Sequence, residues 1–221
     1  MLEVSNLSAW HGAAQALHNV SLSVADHELV VLQGLNGAGK STLLQAVMGL
    51  IARTEGSILF QGQSLARLQP FERAQRGLGY VPEDRRLFTD LTVQENLDIG
   101  ARAGQGGTRG SVAQRREWVL QLFPALKTML ARRAAHMSGG EQQMLSIART
   151  LMTNPNMLLL DEPCEGIAPV LVEAIRDALL ELRSGGMAML VAEQNGVLGE
   201  RADRVITLVA QPNRHADHFR V

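Results

Sequence analysis

The sequence predicts an α/β fold around a mainly parallel β-sheet, with a helical lobe inserted between two strands. Three observations support this prediction. Short apolar runs alternate with helical segments, a glycine-rich loop joins one such run to a helix, and a helix-rich stretch interrupts the alternation at mid-chain. Strands that alternate with helices favour parallel pairing, because a crossover helix returns the chain to the same end of the sheet.

Predicted strands dominate the first part of the chain. Residues 17–24 alternate apolar and polar side chains, as in a half-buried strand, and residues 28–32 form a short apolar run typical of a buried strand. A helix is expected over residues 43–48. Two further strands are expected over residues 57–60 and 77–82.

The middle of the chain is predicted to be an inserted helical subdomain over approximately residues 84–152, within a single domain that covers residues 1–221. Thr92 and Glu95 have the spacing of a capping box, which indicates the start of a helix. Residues 102–110 are rich in glycine and predict a mobile loop.

Helical spacing of apolar side chains continues after this loop. It extends over residues 112–130, where Pro124 is expected to kink or break the helix. Further helices are expected over residues 141–152 and 170–183. The remaining strands are expected over residues 157–160, 187–192 and 204–209.

The composition excludes several classes of protein. The formal net charge is −1 and aromatic residues make up 4% of the chain, so no basic, base-stacking surface for nucleic acid is indicated. Cys164 is the single cysteine, which excludes an internal disulfide framework and is typical of a reducing compartment. The sequence has no signal-peptide pattern, and no apolar run approaches the ~20 residues that cross a bilayer. We therefore expect a soluble chain that another protein would have to hold at a membrane.

Residues 34–41, GLNGAGKS, match the pattern G-x-x-x-x-G-K-[ST] of a phosphate-binding loop, or P-loop. The glycines allow backbone N–H groups to face inward around an anion. Lys40 is expected to contact the terminal phosphates of a nucleotide, and the Ser41 hydroxyl to bind Mg²⁺. The following helix presents its positive N-terminal end to the same anion. An ordinary glycine-rich turn is the competing interpretation.

Two carboxylates, Asp161 and Glu162, follow the apolar run at residues 157–160. They would lie at the carboxyl end of a buried strand, where parallel sheets bind ligands. Asp161 is expected to hold Mg²⁺, and Glu162 to orient or polarise the water that attacks the γ-phosphate. Surface solvation explains most isolated Asp-Glu pairs, but the preceding P-loop favours the catalytic interpretation.

Ser138, Gly139 and Gly140 precede a helical run. The glycines allow close backbone approach, the helix start offers N–H groups, and Ser138 offers a hydroxyl. This segment could therefore serve a γ-phosphate, which a P-loop and an Asp-Glu pair leave incompletely neutralised. An ordinary helix cap is the alternative interpretation.

These motifs together resemble the ATP-binding cassette (ABC) superfamily, whose signature is Leu-Ser-Gly-Gly-Gln where residues 137–141 here are MSGGE. The resemblance covers nearly the whole chain. It is strongest to the ATP-binding subunits of bacterial branched-chain amino-acid importers, with their urea and amide relatives next. The segments that carry it are VPEDRR (residues 81–86), LTVQENL (91–97), SGGEQQML (138–145), residues 161–169 and EQN (193–195).

The resemblance implies a P-loop NTPase fold of the ABC type, with antiparallel strands near the N-terminus, and an ATPase that drives import. In that family the signature of one subunit closes over the ATP held by the P-loop of the other. The implied partners are a second cassette, identical or paralogous, with separate membrane-spanning permease subunits and a solute-binding protein, and no nucleic acid. The implied ligands are ATP and Mg²⁺, and the implied location is the cytoplasmic face of the inner membrane, as a peripheral subunit.

The resemblance also assigns roles to single residues. Glu83 stands where most ABC proteins have Gln, and Gln194 where most have the His that senses the γ-phosphate; both are typical of the branched-chain importer group. The expected catalytic residues are Glu162, Gln194 and Glu83, and the expected Mg²⁺ ligands are Ser41, Asp161 and Glu83. ATP contacts are expected from His11, Asn36, Gly37, Ala38, Gly39, Lys40, Ser41, Thr42, Ser138, Gly139 and Gly140.

Three positions depart from the family pattern. The aromatic residue that stacks on adenine falls on His11, and Trp10 beside it is the alternative, because its ring stacks more strongly. Asp84 replaces a glycine of the importer pattern VPEGRR. The tail at residues 211–221 lacks the hairpin and helix usual in the family.

Arg85 and Arg86 are interpreted either as a solvated turn or as a contact with a membrane partner.

The expected function is that of the ATP-hydrolysing motor of an importer for branched-chain or other hydrophobic amino acids. A urea or short-chain amide importer is the nearest alternative. A regulatory or degraded cassette is a different class, against which the intact P-loop, Asp-Glu pair and Ser138 argue. A chromosome or repair ATPase would need long coiled coils or zinc cysteines, and a tandem translation factor would need two cassettes.

Overall fold

The structure is a computed structural model that describes residues 1–104 and 111–209. The loop expected at residues 102–110 lies largely outside the described residues, and the tail at residues 211–221 lies wholly outside them. Within the described ranges, no helix combines the length and the hydropathy that crossing a membrane requires.

The described chain alternates strands and helices as the sequence predicts. The strands are β1 (Leu2–His11), β2 (Ala14–Val24), β3 (Leu29–Gln33), β4 (Arg53–Phe60), β5 (Gln63–Ser64), β6 (Leu78–Val81), β7 (Met157–Asp161), β8 (Ala188–Glu193) and β9 (Arg204–Thr207). The helices are α1 (Lys40–Met48), α2 (Pro70–Gln75), α3 (Val93–Ala103), α4 (Val112–Leu122), α5 (Pro124–Lys127), α6 (Gly139–Leu151) and α7 (Pro169–Ser184).

A five-stranded parallel sheet in the order β6-β7-β8-β3-β9 forms the centre of the molecule. Every residue of β7 and β8 is buried, which explains why these strands are continuous apolar runs rather than alternating patterns. The prediction of a mainly parallel sheet is confirmed. Parallel strands end at the same edge of a sheet, so the loops after β3, β7 and β8 meet there.

A second sheet in the order β2-β1-β4-β5 is antiparallel, which confirms the antiparallel N-terminal strands that the resemblance implied. The sequence pattern did not predict β1 as a strand. Its register against β2 shifts at three points, and these shifts break the alternation of buried and exposed residues along it. The six-residue helix α2 was also missed, because it is too short for a helical period to emerge.

Helices α3 to α6 lie between β6 and β7, in the region where an inserted helical subdomain was expected. The capping box is confirmed: Thr92 Oγ1 accepts a hydrogen bond from Glu95 N at 3.2 Å, and Glu95 Oε2 accepts one from Thr92 N at 2.8 Å. The break at Pro124 is also confirmed, since α4 ends at Leu122 and α5 begins at Pro124. Proline cannot donate a backbone hydrogen bond, and its ring collides with the preceding turn.

Two apolar cores cover the two faces of the parallel sheet. Leu160 and Val191 point into the core that contains the buried side chains of α3 and α6. Leu159 and Leu190, their neighbours in sequence, point into the core shared with α1 and the antiparallel sheet. This alternation fixes both faces of the sheet, so the loops at its edge rest on a rigid support.

Asn96 on α3 joins the helical region to the loop that follows β6. Its side chain is fully buried. Its Oδ1 accepts a hydrogen bond from Phe88 N at 3.1 Å, and its Nδ2 donates to Phe88 O and Thr92 O, both at 3.0 Å. The side-chain amide thus hydrogen-bonds backbone groups that no regular secondary structure pairs, and it fixes the end of that loop.

We predict that Asn96→Ala lowers the free energy of unfolding by about 1–3 kcal/mol, because the substitution removes the hydrogen bonds of a fully buried amide and takes away the acceptor of Phe88 N. Chemical denaturation would measure this change. Gln121→Ala on α4 is the control: Gln121 is exposed, so its substitution should alter stability by less than about 0.5 kcal/mol. Equal effects of the two substitutions would contradict the role of the buried amide.

Candidate nucleotide-binding site

The loop between β3 and α1 has the backbone conformation that an anion cradle needs. Gly37 and Gly39 have φ angles of 81° and 95°, a left-handed conformation that glycine adopts freely. A Cβ on Gly39 would lie 2.6 Å from Leu17 Cδ2, so no larger residue fits there. Gly39 is the N-cap of α1 and provides no side-chain cap, which leaves the N–H groups of the first helical turn available to an anion.

A cavity of about 420 Å³ opens above this loop. Its walls combine the P-loop with acidic side chains from two other segments of the chain, one after β6 and one after β7. The lining residues are Ala16, Asn36, Gly37, Gly39, Lys40, Ser41, Thr42, Glu83, Glu162 and Glu165. The fold therefore brings Glu83 and Glu162, predicted from separate motifs, to the predicted P-loop residues. Glu165 was not predicted; it belongs to a segment that the sequence analysis quoted without giving it a role.

Lys40 is buried at the base of this cavity and is held entirely by groups of its own chain. Its Nζ donates hydrogen bonds to Gly34 O at 2.7 Å and to Leu35 O at 3.4 Å. It also lies 3.1 Å from Glu162 Oε1 in an ion pair, with 5% and 8% of the two side chains exposed. An incoming phosphate must compete with Glu162 for this ammonium group.

Glu162 occupies a strained position after β7. Its φ angle is 45°, which a residue with a Cβ rarely adopts. Its backbone N donates to Ala192 O at 2.9 Å, and its Oε2 accepts from Gln194 N at 3.0 Å. Strain of this kind persists where the surroundings hold the residue, and it is concentrated at functional sites. Glu162 thus touches both Lys40 and the segment that contains Gln194.

Ser41 and Asp161, both expected to bind Mg²⁺, lie within hydrogen-bond distance of each other. Ser41 Oγ donates to Asp161 Oδ1 at 2.9 Å, and Asp161 is 2% exposed. Burial raises the pKa of Asp161 to about 6; the charges of Glu83 and Glu162 also raise this pKa, while the Ser41 hydroxyl opposes the shift. A hydroxyl and one or two carboxylates fit Mg²⁺, which takes its remaining ligands from water and substrate phosphates.

Tyr80 is a neighbour of this pair that the sequence analysis missed. Its hydroxyl donates to Asp161 Oδ2 at 3.4 Å. Tyr80 lies on β6, which pairs with β7, so sheet register brings it beside Asp161. Burial, together with the charge of Asp161, raises the pKa of Tyr80. No sequence motif connects residues so far apart, and only the strand order reveals the contact.

Glu83 and Gln194 approach the cavity in different ways. Glu83 is exposed and lines both the P-loop cavity and an adjoining cavity of about 300 Å³ that also contains Asp161. Gln194 is half-buried and contacts Glu162 through its backbone. The preceding Glu193 was quoted only as part of a motif; it is buried and accepts hydrogen bonds from the backbone N of Leu198 and Gly199. Glu193 therefore fixes the shape of the loop that carries Gln194.

His11 and Trp10 lie at the end of β1 and contact different parts of the chain. His11 Nε2 lies 3.1 Å from Thr42 Oγ1, next to the P-loop. The guanidinium carbon of Arg53 lies 4.2 Å from the centroid of the Trp10 ring. Trp10 is therefore already engaged in a cation–π contact, whereas His11 adjoins the P-loop.

Ser138 is the N-cap of α6 and is exposed. It forms a capping box with Glu141, so the alternative of a helix cap is borne out as a description of its contacts within the chain. Gly140 is buried, and a Cβ there would lie 2.3 Å from Leu171 Cδ1. Its small size is therefore needed for packing against α7. Among the described residues, those that line the P-loop cavity do not include residues 138–140.

The strand order defines the class of this protein. The P-loop follows β3, the carboxylates follow β7, and β8 lies between these two strands in the sheet. A glycine-rich loop and strand-end carboxylates that meet at one edge of a parallel sheet are the arrangement of the P-loop nucleotide hydrolases. The chain belongs to the ABC transporter family: the model of the family described as "ABC transporter" matches residues 17–165. The chain is accordingly an ATPase cassette of that family.

Three relatives illustrate the similarity. The chain is 43% identical to the high-affinity branched-chain amino acid transport ATP-binding protein BraG of Pseudomonas aeruginosa, over 88% of this chain and 82% of BraG. It is 35% identical to the probable branched-chain amino acid transport ATP-binding protein LivF of Archaeoglobus fulgidus, over the same shares. It is also 36% identical to the lipopolysaccharide export system ATP-binding protein LptB of Haemophilus influenzae, over 88% of this chain and 80% of LptB.

Solved structures agree with this assignment. The ATP-binding subunit of an ABC transporter superposes with a TM-score of 0.82 at 30% identity, over 96% of this chain and 88% of the other. A cassette of an ABC transporter in its ADP conformation superposes with a TM-score of 0.80 at 28% identity, over 94% and 87% of the two chains. The described fold is therefore that of an ABC cassette.

We predict that Lys40→Ala abolishes ATP binding and also lowers the free energy of unfolding by about 3–5 kcal/mol, because Glu162 is left buried without its cation. Fluorescent ATP-analogue titration and chemical denaturation would measure the two effects. The double variant K40A/E162Q should recover most of the stability and none of the binding. Lys127→Ala is the matched control, since Lys127 forms an exposed pair with Glu117. Undiminished ATP binding by K40A would contradict the P-loop assignment.

Proposed function

We propose that this chain is the ATP-hydrolysing motor of an importer for branched-chain or other hydrophobic amino acids. The observation that supports the ATPase chemistry best is the position of Glu162, held at the base of the P-loop cavity between Lys40 Nζ and Gln194 N. The 43% identity to BraG, which extends over most of both chains, supports branched-chain amino acids as the solute. In this proposal separate permease subunits hold the cassette at the cytoplasmic face of the membrane, and a solute-binding protein delivers the solute.

In this proposal the γ-phosphate of ATP displaces Glu162 from Lys40. The ammonium group and the N–H groups at the start of α1 bind the phosphates. Ser41 and Asp161 would hold Mg²⁺, with Glu83 next to them; Mg²⁺ neutralises charge on the β- and γ-phosphates. His11, beside Thr42, would stack on the adenine.

The release of Glu162 from Lys40 would free its carboxylate for the attacking water. Glu162 would then orient that water and accept its proton, as a general base within hydrogen-bond reach must do. The backbone N of Gln194 donates to Glu162, and the side-chain amide of Gln194 could lie near the γ-phosphate. This coupling ties activation of the base to occupation of the P-loop, because one lysine serves both partners in turn.

The exposed Ser138 and the start of α6 would complete the site of a second cassette. Ser138 is exposed to solvent, and its hydroxyl and the two glycines after it are groups that could bind phosphate. The helix N-terminus beside it adds N–H groups and a partial positive charge. Two cassettes arranged head to tail would bury two ATP molecules, each between the P-loop of one copy and residues 138–140 of the other.

We predict that Glu162→Gln keeps ATP affinity but slows hydrolysis by about 10²-fold or more, because an amide cannot accept the proton of the attacking water. Phosphate release would measure the rate, and light scattering after size exclusion should detect an ATP-bound dimer. Glu165→Gln is the control, since Glu165 lines the same cavity but is exposed. Normal hydrolysis by E162Q would mean that another group, such as Glu83, is the base.

We predict that Lys40→Ala and Ser138→Arg cassettes, each inactive alone, recover part of the activity when they are mixed. In the heterodimer, the intact Lys40 of the S138R chain faces the intact Ser138 of the K40A chain. One composite site is then complete. The assay is ATP hydrolysis after subunit exchange, with the exchange itself verified on tagged wild-type chains. If exchange occurs and activity never returns, the assignment of residues 138–140 to the opposite ATP loses its support.

The solute is tested by assembling the chain in vesicles with the proposed permease subunits and solute-binding protein. We expect ATP-dependent uptake of leucine, isoleucine or valine, and an ATPase rate above that of the isolated cassette. Uptake of urea or short-chain amides instead would support the alternative importer. ATP hydrolysis with no coupled transport of any of these solutes would contradict the importer proposal while leaving the ATPase assignment intact.

A further inference from the structure

The turn that follows Glu83 is strained at two consecutive residues. Arg85 and Arg86 have φ angles of 60° and 45°, so both adopt a left-handed conformation that residues with a Cβ rarely take. The turn is also tight: Arg86 N donates to Asp84 O at 2.6 Å, and Arg86 Nε contacts both carboxylate oxygens of Asp84 at 3.1 Å. Backbone strain of this kind persists only where the surrounding structure holds it in place.

Arg149 on α6 holds this turn from below. Its Nη1 donates to Arg86 O at 2.9 Å, and its Nη2 donates to Arg85 O at 3.2 Å. Ser146, one helical turn earlier, donates its hydroxyl to Arg85 O at 3.0 Å. The guanidinium carbon of Arg149 also lies 5.5 Å from the centroid of the Phe88 ring. The planar fork of an arginine fits two adjacent carbonyls, which a lysine cannot bridge in the same way.

The side chain of Arg85 extends the attachment toward the start of α6. Its Nε donates to Gln143 Oε1 and its Nη1 to Gln142 Oε1, both at 3.3 Å. Its guanidinium packs beside Gly139, where a Cβ would lie 3.4 Å from Arg85 Nη2. Arg85 is therefore not a solvated turn residue. The turn is fastened along α6 from its first residue to its last full turn.

We propose that Arg149 is a positioning residue that clamps the Arg85–Arg86 turn to α6, so that Glu83 and Ser138 move as one unit. Glu83 precedes the turn by two residues and lines the P-loop cavity of its own chain. Ser138 caps the helix to which the turn is fastened. The inference rests on the proposed function, in which Ser138 serves the ATP of the opposite cassette. Through the clamp, ATP bound at the P-loop of one cassette sets the position of residues 138–140 of that cassette. These residues serve the ATP of the opposite cassette.

The strain gives the clamp a specific role. Without Arg149, the turn would relax toward an ordinary conformation, and Glu83 would lose its fixed relation to α6. With Arg149, one side chain on α6 contacts the carbonyls of Arg85 and Arg86 and the ring of Phe88. The clamp therefore acts on the coupling between the two sites and not on ATP binding at the P-loop.

The experiment measures ATP-driven dimerisation in the E162Q background, in which hydrolysis does not deplete the dimer. We expect Arg149→Gln to raise the ATP concentration for half-maximal dimerisation by about tenfold, a coupling effect of ordinary size. The affinity of the P-loop for a fluorescent ATP analogue should stay within about twofold, since that site does not contact Arg149. Arg183→Gln on α7 is the matched control: Arg183 pairs with Asp203 and Arg201 O outside this network, so R183Q should change neither quantity.

The strain is tested by repeating the substitution in the R86G background, where glycine adopts the left-handed conformation without cost. There, R149Q should raise the half-maximal ATP concentration by about threefold or less, because one of the two strained residues no longer needs the clamp. A merely structural role for Arg149 would give the same factor in both backgrounds, and that result would overturn the proposal. Unchanged dimerisation by R149Q would overturn it as well.

Two further variants cover the case in which R149Q does not fold. Arg149→Lys keeps the charge and one hydrogen bond, so its effect should lie between wild type and R149Q. Arg85→Ala removes the contacts to Gln142 and Gln143 and should also weaken dimerisation with unchanged analogue binding. Wild-type dimerisation by both variants would overturn the clamp. If E162Q itself forms no ATP-dependent dimer, the proposed composite site fails, and the inference falls with it; normal dimerisation of E162Q with no effect of the clamp variants overturns the inference alone.

Discussion

The pairing of Lys40 with Glu162 is the constraint on which the nucleotide site depends. Both side chains are almost completely buried, and two charges removed from water are tolerated only when each compensates the other. The pair also joins two motifs more than a hundred residues apart, one after β3 and one after β7. In the proposed function the same lysine receives phosphate, so one contact joins the proposed phosphate-binding cation to the proposed base.

The surroundings of this pair are built to keep it in register. The strained backbone of Glu162 is fixed by hydrogen bonds to β8, and Gln194 N holds the second carboxylate oxygen. Glu193 shapes the next loop through its buried carboxylate. A second strained segment, Arg85–Arg86, follows Glu83, which also lines the cavity, and is tied to α6. Backbone strain thus occurs at Glu162, which lines the cavity, and two residues after Glu83, which also lines it.

Functional consequences follow from where these segments lead. Glu162 itself contacts Lys40 Nζ and Gln194 N at the edge of the sheet, and the segment after it leads into α7. The segment after Glu83 leads instead into the helical region, where Asn96 and Arg149 fix its two ends. A displacement at Glu83 therefore reaches α6, whereas one at Glu162 reaches Gln194. In the proposed function, the contacts of Glu162 serve hydrolysis, whereas those of the segment after Glu83 serve communication with the second cassette.

The sequence by itself determined the fold class, the P-loop, the Asp-Glu pair and most strands, because hydrophobic periodicity and glycine spacing are local properties. It also located the capping box and the break at Pro124, which depend on four neighbouring residues or fewer.

Only the tertiary structure decided which residues touch. Tyr80 meets Asp161 through strand order, Trp10 is occupied by Arg53 while His11 adjoins Thr42, and Arg149 reaches a turn more than sixty residues earlier. The register shifts that hid β1 have the same origin, since they arise from pairing with other strands. A contact between two distant segments produces no repeating pattern of residues in either segment. Local sequence patterns therefore do not predict such contacts.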